Sequence, residues 1–219
     1  HGFGARLFLT NTDWQLIRLC PAPLLFVKQS RAYGKARVVA AIDPLHDNAK
    51  AAGLDARILE TAPAIAAAHS GRLDAVHAYL PLAAATVYLD PMAASLSPEV
   101  EKQYENNIRR TLERSVAAIG LPGKQLHMVM GTTHSAIADA AKRLRADVLV
   151  MGAISRRGLK RLFIGSTAER TIDHAHCDVL VVKQRGFKTP VPRRPTASQR
   201  LQLGFTPPPD MVSMLYESR

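Results

Sequence analysis

Between Gly152 and Thr167 the sequence assembles the parts of an anion site. Arg156, Arg157, Lys160 and Arg161 bring four positive charges and no acid stands among them. Gly165 lets a backbone or an anion come close. Ser166-Thr167-Ala168-Glu169 fits a capping box, with Ser166 as N-cap and Glu169 at the third helical position. Unpaired N–H groups at a helix start, a glycine before them and cations beside them suit a phosphate. Plainer explanations stand next to this one. A capping box stabilises a helix start without any ligand, with cap loss costing about 1 kcal/mol. A charge run in a loop is usually solvated. Val148 to Met151, ahead of the loop, is a β-branched apolar run, the pattern of a parallel strand covered on both faces.

Other chemistries find less support. The histidines, His46, His69, His77, His127, His134, His174 and His176 among them, are scattered without zinc-ligand spacing. His174 and His176 flank Cys177, which suits adventitious metal at most. No lysine completes a Walker-type loop. No Ser-His-Asp or Cys-His arrangement follows from spacing, and no residue stands out as a general acid or base.

The loop also carries a family resemblance. Gly152, Ser155, Gly165 and Ser166 stand at the spacing Gly-x-x-Gly-(nine residues)-Gly-(Ser/Thr), with serine in the second glycine's place. The chain thereby resembles the universal stress proteins, which place this motif between the fourth strand and the last helix. The resemblance implies an ATP or AMP site, Mg²⁺ accompanying ATP, with weak ATPase activity at most. The residues it marks are Asp43, Ala78, Met151, Gly152, Ser155, Arg156, Gly165, Ser166 and Thr167. Asp43 would hold the adenine or ribose edge and Ala78 would sit beside the adenine. Asp43 before Pro44 is equally well a turn aspartate, and Gly152 ends a strand without needing a ribose. If the second glycine position requires positive φ, Ser155 is disfavoured by about 1–2 kcal/mol. If it requires only a small residue, serine fits.

The elements that must position these residues alternate. Arg37 to Ile42, Leu73 to Leu80, Leu126 to Met130, Asp147 to Gly152 and Val179 to Val182 are predicted strands. Helices are predicted from about Asp47 to His69, Ser97 to Ile119, Ser135 to Leu144 and Thr167 to His174. Pro63 is expected to kink or break the first of these. Residues 82–97 read as a long connection of the kind that often covers a site. Alternation gives an α/β fold with a doubly wound parallel sheet of five strands. The resemblance implies the strand order 3-2-1-4-5, which makes strands one and four neighbours at the switch point.

The first thirty residues do not look like a domain start. Leu9 to Lys28 can be laid without gaps over Ile164 to Lys183, an offset of 155 residues. Thr12 falls on Thr167, Ile17 on Ile172, Val27 on Val182 and Lys28 on Lys183. Such a repeat suggests a tandem protein, and the Thr-Asp-Trp and Cys-Pro-x-Pro pieces resemble tandem, E-type universal stress proteins. Residues 1–33 are therefore expected to be the last helix and strand of a first domain plus a linker, and the chain, opening on His1 without a methionine, a truncation. Residues 34–184 are expected to form a complete domain, and 185–219 a basic, proline-rich, disordered tail. In the family the last strands pair across a domain or subunit interface. Leu24 to Val27 is thus expected to pair with Val179 to Val182, as strand addition or as self-association.

Composition narrows the partners. The chain has 219 residues, 47% of them hydrophobic, and a net charge of +11. Eight of those charges lie in loop 156–161 and the tail from residue 184. No interleaved aromatic platform accompanies them, so nucleic acid is not an expected partner. No apolar run reaches the roughly 20 residues of a membrane span. Cys20 and Cys177 make no disulfide framework, and a reducing cytoplasm is the simpler setting. Two functions follow: a stress-response nucleotide-binding module, or a stress interaction protein working through its edge strand without a nucleotide.

Overall fold

The computed structural model describes residues 11–45, 49–87, 97–153, 155–156, 163–164 and 166–189. The expected disordered tail falls almost wholly outside them. The chain divides into residues 1–187 and 188–219, and the architecture below is that of the first unit.

After helix α1 (Asn11–Leu19) and strand β1 (Leu24–Phe26) the alternation begins. It runs β2 (Arg37–Ala41), α2 (Ala49–Ala68), β3 (Arg72–Tyr79), α3 (Leu82–Val87), α4 (Pro98–Ala117), β4 (Leu126–Met130), α5 (Thr133–Arg143) and β5 (Val148–Gly152). A short pair, β6 (Ser155–Arg156) and β7 (Phe163–Ile164), precedes α6 (Ser166–His174) and β8 (Asp178–Val182). The main sheet has six strands in the order β1-β8-β5-β2-β3-β4. Its five parallel strands follow the expected 3-2-1-4-5 order, counting β2 as the first. The sixth, β1, lies antiparallel on β8.

The strand pattern explains the layers. Val38, Ala40, Val148, Val150, Leu180 and Val182 face one side, where Leu54 and Ile58 of α2 and Ile108, Leu112 and Val116 of α4 cover them. Val39, Ala41, Leu149, Met151, Val179 and Val181 face the other, beneath Ile137 and Ala141 of α5, Ala168 and Ile172 of α6, and Ile17 of α1. A parallel sheet buried on both faces needs such continuous apolar strands, and β8 is buried at every residue.

Three local expectations change. α2 is unbroken through Pro63. Leu59, Ala62 and Ala66 around the proline are all buried against the sheet, and that packing outweighs one lost helical hydrogen bond. The long connection 82–97 contains α3, whose first N–H groups, on Leu82 and Ala83, donate to the Glu101 carboxylate at 2.9 and 3.2 Å. The polar linker 29–36 is fastened. Lys28 N and Gln29 N donate to Asp178 at 2.6 and 2.9 Å, Tyr33 donates its hydroxyl to the same carboxylate, and Arg31 pairs with Asp147. Further on, Gly71 turns the chain into β3, where a Cβ would lie 2.0 Å from the Ala36 carbonyl oxygen.

The junction of β1 and β8 has local two-fold symmetry. Leu25 faces Leu180, the residue 155 positions on, while Leu24 faces Val181 and Phe26 faces Val179. Lys28 Nζ donates to the Ile172 carbonyl and, at 2.9 Å, to that of Ala175 at the end of α6. Lys183 Nζ donates to the Ile17 carbonyl and, at 3.3 Å, to that of Cys20 at the end of α1. Lys28 therefore satisfies carbonyls that α6 leaves open and Lys183 those that α1 leaves open, each at the negative end of the helix dipole. Lys183 also lies 4.3 Å from the centre of the Phe187 ring.

Burial pulls both ammonium groups below the ordinary lysine value. The folded state then releases these protons before the unfolded state does, so their contribution to stability rises as pH climbs towards the unfolded lysine value. Lys28→Met and Lys183→Met are each expected to destabilise by about 1–3 kcal/mol, since buried carbonyls lose their donors. Urea unfolding from neutral to alkaline pH checks both points: the variants should lie below wild type, and the gap should widen with pH.

Candidate functional site

The carboxyl ends of β2 and β5 form the lip at the switch point. Val38, Val39 and Ala40 pair with Val148, Leu149 and Val150. On the other side Ala41 pairs with Val76. Continuing both registers sets Asp43 level with Ala78 on β3 and with the residue after Gly152 on β5. Asp43, Ala78, Met151 and Gly152 thus stand together at one lip, and the hairpin and α6 follow directly from it.

Asp43 is held from two directions. Its backbone N–H donates to both carboxylate oxygens of Asp55 in α2, each at 3.1 Å. His77, buried in β3, has Nδ1 3.1 Å from the Ile42 carbonyl and 3.7 Å from Asp43 Oδ1. A carbonyl only accepts, so Nδ1 carries the proton and the ring is fixed beside the carboxylate. The Asp43 side chain is 46% exposed. On the far side of β3, Tyr79 donates to Glu105 at 2.7 Å, and burial pushes its phenol up to about 12.

The remaining site residues separate by role. Met151 is buried in the core with Ala153 and Ala168, so only its backbone faces the lip. Ala78 packs against that same cluster. Gly152 has a packing reason to be glycine. A Cβ there would lie 2.2 Å from Leu54 Cδ2 and 2.4 Å from Leu54 Cγ. Ser155 and Arg156 lie in the extended strand β6, paired with Ile164 and Phe163. The backbone at Ser155 is therefore of a kind that serine adopts freely. Ser166 and Thr167 begin α6. Gly165, Arg157, Lys160 and Arg161 lie outside the described residues.

His77, Asp55 and Leu54 are the lip residues the sequence did not single out for function. Asp55 sits twelve residues beyond Asp43 and inside a helical pattern, so only the fold reveals the contact. Among the described residues, no group of three or more His, Cys, Asp or Glu side chains gathers closely enough to hold a metal ion. No helix among them is long and apolar enough to cross a membrane.

Comparison with known proteins adds to this geometry. The profile of the universal stress protein family matches residues 36–183. Universal stress protein E of Escherichia coli K12 is 31% identical over 194 residues, spanning 84% of this chain. The corresponding homolog of Haemophilus influenzae is 28% identical over 183 residues, 81% of this chain. The chain spans 58% and 57% of the length of these two curated relatives. Among solved structures, a putative universal stress protein from Pseudomonas aeruginosa superposes with a TM-score of 0.67 at 30% identity, covering 82% of this chain and 58% of that one.

The packing at Gly152 predicts a coupled pair. Gly152→Ala is expected to destabilise by about 1–3 kcal/mol, because Leu54 must move. Leu54→Ala alone should cost about 2–5 kcal/mol. The double variant should fall short of their sum by at least about 1 kcal/mol, as measured by chemical denaturation of all four proteins.

Proposed function

The chain belongs to the universal stress protein family, and we propose that its carboxyl lip between β2 and β5 takes an adenine nucleotide, ATP or AMP. The observation that carries this reading is the register that brings Asp43 and Gly152 onto adjacent strand ends. Ligands of open α/β sheets enter at such a reversal of strand order. In this reading Asp43 accepts from the ribose or adenine edge, held ready by Asp55 and His77. Ala78 lies beside the adenine. The backbone of Met151 and Gly152 faces the sugar. Ser155 and Arg156 flank the phosphates, and the N–H groups from Gly165 through Thr167 at the start of α6 receive them, with Mg²⁺ accompanying ATP. The nucleotide would act as a bound signal in the stress response, with slow turnover at most.

Isothermal titration with ATP and Mg²⁺, and with AMP, tests this. Asp43→Ala is expected to weaken binding at least about tenfold, equal to about 1.4 kcal/mol of lost contact. Absence of heat at millimolar nucleotide would reject the site.

A different observation favours a second reading, in which the protein acts by strand pairing. The β1–β8 register and the reciprocal lysines map onto themselves under the 155-residue offset. The surface under residues 11–28 is therefore complementary to a second β8. A chain lacking residues 1–28 exposes an apolar edge and is expected to dimerise or aggregate. Light scattering coupled to size exclusion reads the outcome, and an unchanged, equally stable monomer would count against this reading.

A further inference from the structure

The amino side of the sheet carries mainly exposed cations, whereas the carboxyl side mixes acids with cations such as Lys102 and Arg156. At the carboxyl side stand Asp43, Asp55 and the acids of the first turns of α4, Glu99, Glu101 and Glu105. At the amino side, Lys35, Arg37, Lys124, Lys142, Arg143 and Arg145 are all exposed and enter no ion pair among the described residues. The carboxylates of Asp74, Asp147 and Asp178 at that end are buried and committed inward. Asp74 accepts from Arg72 and His127, each at 2.8 Å. Asp147 accepts from Arg31 and from Arg37 N, and Asp178 from the linker. The exposed acids nearest this end are Asp173 in α6, beside Lys28, Glu113 on α4, and Asp139 on α5, one turn before Lys142 and Arg143.

The cations form a row. Arg37 and Arg72 are register partners at the starts of β2 and β3. Arg145 leads into β5 and Lys124 into β4. With neighbouring strands about 4.8 Å apart, four strand starts span about 15 Å. Helix dipoles account for cations at the end of α5, but not for Lys35 and Arg37, which follow no helix. Arg145 is more telling. Its φ is 52°, at the position after a helix end where glycine is favoured. A charged residue there is held at the expense of local conformational ease. Tyr33 and His69, edge to face at 5.4 Å, add ring surface at the same end.

We infer that this amino-end row binds the sugar-phosphate backbone of a single-stranded nucleic acid, without base specificity. The surface favours that partner over a protein. Among the described residues the exposed large apolar side chains Leu45, Leu80, Val100 and Met130 lie towards the opposite end, and Leu16 on α1, Leu25 in β1 and Val27 just after it lie off the row. A Lys/Arg-rich contact without an apolar centre matches nucleic acid rather than protein interfaces. Sequence order hid the site, because its cations come from four separate loops that only the parallel topology brings into line.

The test is fluorescence anisotropy of a labelled oligothymidylate with the full chain over a range of salt. Arg37→Gln combined with Arg145→Gly should weaken binding at least about tenfold and flatten the slope of log K against log salt by about 1.4, two phosphate contacts' worth. Arg145→Gly alone should weaken binding while raising the melting temperature, so that lost binding is not lost fold. Lys102→Gln with Arg110→Gln, a charge-matched change on α4, should leave affinity within twofold. The inference is overturned if wild type does not bind, if the row variants keep wild-type affinity and slope, or if the α4 control weakens binding equally. It is also overturned if polyglutamate or phosphatidylserine vesicles bind more tightly than the oligonucleotide.

Discussion

The edge of β8 is the constraint around which the unit is built. A parallel sheet must end somewhere, and an apolar strand buried at every residue is a poor place to end it, because its open backbone invites any passing strand. β1 closes that edge in antiparallel register, and α1 lays Ile17 onto the same face as Ile172 of α6. Closing the edge creates a second demand. α1 and α6 both finish beside the junction, and each leaves carbonyls without partners. Lys28 and Lys183 meet that demand for each other's helix. An ammonium is costly to bury alone, yet here it replaces water at the negative end of a helix and faces several acceptors at once. The pair therefore gives strand register and helix docking a common origin.

Much of this was legible before any coordinates. The 3.6-residue and continuous apolar patterns located the principal helices and strands to within a few residues. The 155-residue offset laid Lys28 on Lys183 and Ile17 on Ile172, and these pairs occupy matching places at the β1–β8 junction. Periodicity records which face an element buries, and an offset records which elements are equivalent. Neither records a contact between unlike parts. Asp55 on Asp43, Leu54 on Gly152 and the Ala36 carbonyl against Gly71 join residues with no common pattern. Pro63 misled for a related reason, since local propensity carries no term for the packing of Leu59, Ala62 and Ala66 on a sheet.

Gly152 shows how a motif residue can serve two masters. Its place in the loop pattern suggests a ligand, while its surroundings require it for α2 to close over β5. The two requirements are compatible, because a helix pressed close to the strand end also fixes the acid next door. Asp55, the residue after Leu54, holds the Asp43 backbone. One turn of α2 thereby sets the spacing of the lip on both β2 and β5. Ser155 differs in kind: the extended backbone of β6 makes no demand for glycine, so the departure from the motif there changes chemistry, not conformation.

The fold separates what happens at its two ends. The crossover helices α2, α4, α5 and α6 each run back towards the amino end of the next strand, so their starts gather at one end and their finishes at the other. N–H groups and their positive potential therefore collect at the lip with Asp43, where an anion is favoured. Carbonyl ends collect opposite, where buried aspartates and fastened linkers occupy the space between strands. Asp147 and Asp178 bind the crossing from β1 to β2 at that end through backbone N–H groups. The lip instead is bordered by a hairpin, β6 and β7, that joins the main sheet through no strand pairing among the described residues.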